Sequence, residues 1–295
     1  MPFLSEVLDR LVGTLESTTA LDRPAGLVQK ITGALPAGPV KDTLSGTPLG
    51  HPLHPLLVTL PIGAFSWAAV LDLIGGDRRT ARTLIGLGIL SALPTAAAGA
   101  SDWSDTAGAE RRVGLVHAAA NTVGLGLLAR SWVARRSPGG GRLSGLAGLG
   151  VIGASGWLGG HLSYAMGVGV DTTAFSVLPQ DWTDAAAEAD LVEGRPQAVQ
   201  VQGVSVLLIR RGGRVLAMAN RCTHRGGPLN EGSVLTEGGA DCVECPWHGS
   251  RFTLEDGAVA RGPATRPQPV FQARVEGGRI QIRREEPKTL RTNPV

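Results

Sequence analysis

Two short runs in the last third of the chain each carry a pair of metal-binding side chains: Cys222-Thr223-His224 and Cys245-Pro246-Trp247-His248. Together they offer two sulfur and two nitrogen donors, and two chemistries use such a set. A structural zinc ion takes four of them in a tetrahedron. An iron–sulfur centre of mixed ligation takes two thiolates on one iron and two neutral imidazoles on the other. The spacing favours the second. Zinc sites usually pair Cys with Cys and His with His, the second pair on a helix, whereas each run here holds one Cys and one His. Both runs continue into glycine-containing loops, Arg225-Gly226-Gly227-Pro228-Leu229 and Gly249-Ser250-Arg251-Phe252. Glycine lets the main chain approach inorganic sulfide closely and aim N–H groups at it. One-electron transfer is the expected chemistry.

The segment from about Asp181 to Arg284 resembles a bacterial Rieske ferredoxin-type domain along its whole length. The resemblance rests on the two ligand runs and on Asp181-Trp182-Thr183, Arg214-Val215-Leu216-Ala217-Met218-Ala219-Asn220-Arg221 and Gly262-Pro263-Ala264. It implies a small antiparallel β fold with a [2Fe–2S] cluster held by Cys222, His224, Cys245 and His248. It also implies a third loop, carrying Pro263, that covers the cluster. The sequence departs from the respiratory Rieske proteins of cytochrome bc complexes. Their additional disulfide cysteines are missing, and Phe252 stands where that group has a tyrosine donor. Ser250, whose hydroxyl can bond a bridging sulfide, is kept. Fewer hydrogen bonds to sulfur lower the potential, so the low part of the Rieske range of roughly −150 to +300 mV is expected. The third cysteine, Cys242, reads as a small buried or semi-exposed residue near the cluster loop rather than a redox thiol. With two of three cysteines used as ligands, no disulfide is expected within the chain, and cysteine count leaves the compartment open.

The elements that must position these ligands read as strands. Ala198–Val206, Val206–Arg210 and Val215–Ala219 are β-rich and bounded by glycine, and Ile280–Ile282 alternates. The rest of the chain is different in kind. Thr43–Leu71, Thr83–Ser101, Val113–Ala129 and Leu143–Val170 contain no Asp, Glu, Lys or Arg. Within them helices are expected at Pro55–Gly75, Leu84–Ala100, Val113–Val133 and Leu146–Ala165, each near the roughly 20 residues that cross a bilayer. Their Gly, Ala and Ser content suits close helix approach, and Pro61 and Pro94 are tolerable in such a bundle. Met1–Leu44 is polar and amphipathic without an early apolar core, so no secretory signal is expected, and Ser5–Leu15 reads as a surface helix. Gly50-His51-Pro52-Leu53-His54-Pro55-Leu56-Leu57-Val58 and Gly159-Gly160-His161-Leu162 are similar to a family of bacterial four-helix membrane domains. That likeness implies fold and membrane location, and no activity.

The fold class is therefore α + β with two domains, a four-helix transmembrane bundle followed by an all-β Rieske fold. The expected divisions are an N-terminal segment 1–50, the bundle 51–166, a linker 167–178, the Rieske domain 179–286 and a tail 287–295. Net charge is +3, and the residues after Val170 balance at 15 basic and 15 acidic. No basic stripe points to nucleic acid. One set of loops holds Arg78, Arg79, Arg82, Arg135, Arg136 and Arg142, with Arg130 just inside. The other holds Lys41, Arg111 and Arg112, offset by Asp102, Asp105 and Glu110. The positive-inside rule puts the first set in the cytoplasm and the Rieske domain outside it.

Up-and-down topology brings the remaining histidines, His51, His54, His117 and His161, to one end of the bundle. Ionisable groups at membrane depth tend to mark function. Histidines on facing helices suit a b-type haem, another metal or a quinone; the plainer reading is imidazoles bonded to backbone or water. His117 and His161 are the stronger pair for a functional role. The expected function is a membrane-anchored carrier passing single electrons between a membrane redox partner, protein or quinone, and a second carrier. The alternatives are a ferredoxin component feeding an oxygenase or reductase, and a redox-sensing or assembly protein. A catalytic oxygenase subunit needs a mononuclear iron with two His and a carboxylate, and no histidine follows His248.

Overall fold

The computed structural model describes residues 2–137 and 139–284. The chain divides into two compact units, Met1–Val170 and Asp171–Val295. The tail assigned to 287–295 lies outside the described residues.

The first unit is helical: α1 Pro2–Ser17, α2 Asp22–Thr32, α3 Pro39–Ser45, α4 Leu53–Leu57, α5 Thr59–Leu73, α6 Arg78–Ser104, α7 Gly108–Ala134 and α8 Arg142–Tyr164. The α4–α5 pair, α6, α7 and α8 are long and apolar enough to cross a membrane. Two of these helices start in charged sequence that periodicity alone assigns to loops. Asp77 caps α6, its carboxylate accepting from the Thr80 N–H at 2.7 Å and the Thr80 hydroxyl at 2.6 Å. These bonds hold the Asp77 carboxyl below the usual carboxylate range. The α7 start carries Arg111 and Arg112. Arg112 grips Asp22 at 2.6 Å and the Glu16 carbonyl at 2.5 Å, while Arg111 donates to the Thr106 carbonyl at 2.8 Å.

Small residues set the helix spacing. A Cβ on Gly148 would lie 2.9 Å from the Gly124 carbonyl oxygen, so α7 and α8 approach backbone to backbone. Gly88 leaves room for the Phe65 ring, whose nearest carbon would be 2.3 Å from an added Cβ. Phe65, Ala68, Ala81, Ile85, Leu128 and Ile152 form the core between them. The N-terminal helices pack on the end of the bundle that carries the histidines. Lys41 pairs with Asp105 at 2.6 Å, the Ser45 and Ser101 hydroxyls lie 3.3 Å apart, and Gln29 donates to the Ser104 carbonyl at 2.9 Å.

The opposite end holds an ion pair that loop counting hides. Arg135 reads as a free loop cation in the sequence, yet its guanidinium is fully buried and bidentate on Asp72 of α5. Its Nε also donates to the Ser131 hydroxyl at 3.2 Å. The pair is neutral as a unit. Arg82 and Arg136 lie over the Trp132 ring at the same end, 4.5 and 5.3 Å from its centroid.

Among the described residues the second unit has ten strands: β1 Thr183–Ala187, β2 Gln197–Val201, β3 Val204–Arg211, β4 Arg214–Ala219, β5 Ser233–Glu237, β6 Ala240–Glu244, β7 Arg251–Thr253, β8 Val259–Arg261, β9 Val270–Glu276 and β10 Arg279–Arg284. They form a six-stranded sheet ordered β1-β10-β9-β4-β3-β2 and a four-stranded sheet ordered β5-β6-β7-β8. Val206–Ile209 is buried on both faces. Val206 and Leu208 join one core with Ile280 and Ile282; Leu207 and Ile209 join another with Cys222, Cys245 and Phe252. That two-sided burial explains the unbroken apolar run Val-Leu-Leu-Ile.

The sequence pattern predicts one strand from Ala198 to Val206. The chain instead turns at Gln202-Gly203, both at positive φ (49° and 82°), and starts β3 at Val204. Glutamine is an uncommon first residue for such a tight turn, so no local signal marked it. Residues 171–178, placed with the linker on sequence grounds, contribute to this unit. The Thr172 hydroxyl donates to the Cys222 carbonyl at 2.7 Å, and Leu178 is buried in the β core.

Candidate metal centre

The four expected ligands sit in two loops built to one plan. In the first, which follows β4, the Cys222 N–H donates to the Gly227 carbonyl at 2.9 Å and the Gly226 N–H returns to the Cys222 carbonyl at 2.8 Å. In the second, which follows β6, the Cys245 N–H donates to the Ser250 carbonyl at 2.8 Å and the Gly249 N–H returns to the Cys245 carbonyl at 3.1 Å. The return needs a left-handed residue four places after each cysteine; Gly226 and Gly249 supply it at φ 78° and 74°. A glycine at that offset from each Cys is a sequence signal for the matched loops.

The loops bring like donors together. Cys222 and Cys245 are 1% and 2% exposed, and their thiols hydrogen-bond one another. That bond holds the proton on Cys222 and eases the one on Cys245. Main-chain N–H groups of His224 and Arg225 point at the Cys222 sulfur, and those of Trp247 and His248 at the Cys245 sulfur. The His224 and His248 rings are half-buried and meet edge to face, centroids 5.1 Å apart. A thiol pair beside donors for sulfur, with a separate imidazole pair, fits the two-iron cluster of mixed ligation. It fits a single zinc ion poorly: among the described residues no three His, Cys, Asp or Glu side chains gather closely enough to hold one ion.

The loops close tightly on each other. A Cβ on Gly227 would lie 2.8 Å from the Cys245 sulfur and 3.1 Å from the Trp247 ring. Gly227→Ala is expected to lower cluster content and cost about 1–3 kcal/mol in thermal stability, the usual range for overpacking. Retention of full iron content and unchanged melting would contradict this.

A third loop, 262–269, is tied to both. The Ala264 N–H donates to the Ser250 hydroxyl at 3.0 Å, leaving that hydroxyl its own O–H to donate. Gln268, 2% exposed, donates to the Ala219 and Arg221 carbonyls at 2.6 and 2.7 Å and accepts from the Thr223 N–H at 3.2 Å. Sequence reasoning missed Gln268, since only the fold brings it to the first ligand loop. Phe252 is fully buried in apolar core and donates nothing. Cys242 lies on β6, fully buried, its thiol pushed up chiefly by burial.

In the helical unit each of three remaining histidines has its own protein partner. His54 Nδ1 donates to the Thr95 carbonyl at 2.9 Å. His117 Nδ1 donates to the Ser155 carbonyl at 2.8 Å, and its Nε2 accepts from the Asn121 amide at 3.1 Å. His161 Nε2 meets Glu16 of α1 at 2.9 Å, its ring stacked on Trp157. His51 is exposed. His117 and His161 thus enter separate pairings.

Comparison with known proteins follows the same division. Residues 181–272 match the Rieske [2Fe-2S] domain, and residues 50–172 match a predicted membrane protein family (DUF2231). Ferredoxin CarAc of Metapseudomonas resinovorans is 32% identical over 108 residues, 36% of this chain and 97% of that protein. Human apoptosis-inducing factor 3 is 34% identical over 107 residues, but the chain spans only 17% of its length. Among solved structures, the ferredoxin of carbazole 1,9a-dioxygenase from Nocardioides aromaticivorans is 29% identical, covering 36% of this chain and 100% of that one, with a TM-score of 0.33. The chain belongs to the Rieske [2Fe–2S] family. More narrowly, it joins a ferredoxin-type Rieske domain to a predicted membrane domain.

Proposed function

We propose that the protein is a membrane-anchored Rieske carrier in which Cys222 and Cys245 hold one iron and His224 and His248 the other. A cluster held there takes up and gives up one electron at a time. The observation that carries this reading is the thiol pair and the imidazole pair in two matched loops, on a chain whose described residues include four helices of membrane-crossing length. The buried cysteines keep water from the sulfur side, and main-chain N–H groups stabilise negative charge there. The half-buried imidazoles are the route by which electrons leave. Phe252 in place of a hydroxyl donor supports a potential in the low part of the Rieske range.

The α4–α5 pair, α6, α7 and α8 form the anchor. With Arg135 neutralised by Asp72, Arg78, Arg79, Arg82, Arg130, Arg136 and Arg142 still crowd one end, and the positive-inside rule assigns that end to the cytoplasm. Lys41 and Arg112 at the other end are matched by Asp105 and Asp22. The electron donor and acceptor are then a membrane redox partner, protein or quinone, and a second carrier. The likeness to ferredoxin CarAc over nearly its whole length supports a second reading, a ferredoxin component feeding an oxygenase or reductase. The membrane histidines are best read as structural, because His54, His117 and His161 each have a protein partner.

The test is EPR of the reduced full-length protein in carbonate-washed membranes, with an optical haem assay alongside. The expected result is a signal of mixed Cys and His ligation that stays with the membrane. A signal removed by the wash refutes the anchor, and iron without that signature refutes the centre. Reoxidation by a quinone separates the carrier from the oxygenase-feeding reading.

A further inference from the structure

Behind the second ligand loop lies a charge network that the ligand geometry leaves unexplained. The registers Glu244↔Arg251 and Arg251↔Arg261 put three charged residues in one row across β6, β7 and β8. Glu244 is the last residue of β6, directly before Cys245. Its Oε2 accepts from Arg251 Nε at 2.6 Å and from Arg261 Nη2 at 3.0 Å. Arg251 also pairs with Glu237 at 3.1 Å. Arg261 Nη2 reaches the Gly249 carbonyl at 3.3 Å, and Gly249 follows His248. One guanidinium thus bridges the residue before the first ligand of the loop and the residue after the second. All three row members are largely shielded from solvent, with side-chain exposures of 21–29%.

We infer that Glu244 and Arg261 are positioning residues of opposite electrostatic effect: together they brace the Cys245–His248 loop, while Glu244 holds the reduction potential down and Arg261 holds it up. This rests on Cys245 and His248 being ligands. Reduction adds one negative charge to the centre. A carboxylate one residue from Cys245 opposes that charge, and a guanidinium on the same loop favours it; partial burial weakens screening of both. The network is balanced, two arginines against two glutamates, so removing one member leaves an excess of the other sign beside the loop.

The experiment is redox titration of the full-length protein, followed by EPR. Glu244→Gln keeps an oxygen for Arg251 and loses the charge, so its midpoint should rise. Arg261→Gln should lower it. Each is expected to change the reduced-to-oxidised ratio at fixed potential by about tenfold, or about 59 mV for one electron. Glu244→Asp should restore the wild-type value. Arg214→Gln, which breaks an exposed ion pair with Glu255 at the far end of β4, should leave it unmoved. Shifts of the same sign in Glu244→Gln and Arg261→Gln, or unmoved midpoints, overturn the inference while leaving the carrier reading standing. A wild-type protein without the mixed-ligand signal overturns the carrier reading itself.

Discussion

Cys245→Ser is expected to remove the cluster: no EPR signal on reduction, no visible absorption, and iron and acid-labile sulfide both near zero. Serine is close in size but is a hard, protonated donor at neutral pH, whereas iron in such a centre is held by soft thiolate. The remaining three ligands are not expected to compensate, because the site presents its sulfurs as a pair. Cys242→Ser is the internal control. Cys242 is as buried as the ligands, but it lies on β6 with its sulfur 3.7 Å from the Ala240 carbonyl, and it should keep the cluster. Loss of the signal in both variants would show that any buried cysteine in this unit matters only for folding. Retention of full iron and sulfide by Cys245→Ser would remove Cys245 from the ligand set.

The candidate ligands were legible because they are local. Each run is a few residues long, and the matched loops are written in a glycine four places after each cysteine. The four apolar helices were legible for a related reason, since charge-free stretches of bilayer length have few other uses. Their ends were read less well. The α6 helix starts at Arg78 rather than Leu84 because Asp77 caps it, and α7 starts at Gly108 because Asp22 and two main-chain carbonyls satisfy Arg111 and Arg112. The strands around the centre were read only in part. β3 is written in its two-sided burial, but β5 to β8 are short and carry charges that face neighbouring strands. What stayed hidden depends on long-range partners. Gln268 serves a loop 45 residues away in sequence, and the bond from Glu244 to Arg261 spans 17 residues.

The same reasoning gives the largest expected loss of stability. Asp72 and Arg135 lie 63 residues apart in sequence, so nothing local joins them. In the fold they tie the end of α5 to the end of α7, and the Ser131 hydroxyl passes the tie on to the Gly141 carbonyl at 2.6 Å, where α8 begins. Asp72→Asn leaves a fully buried guanidinium without its counter-charge, and Arg135→Met leaves a buried carboxylate. Each single change is expected to cost about 3–5 kcal/mol, read as loss of thermal stability in detergent. The double variant should recover most of that loss, because two neutral side chains of similar volume bury no charge. Additive losses in the double variant would mean that the two residues act separately. The sign of the coupling therefore decides whether this end of the bundle is held by one neutral pair or by two independent groups.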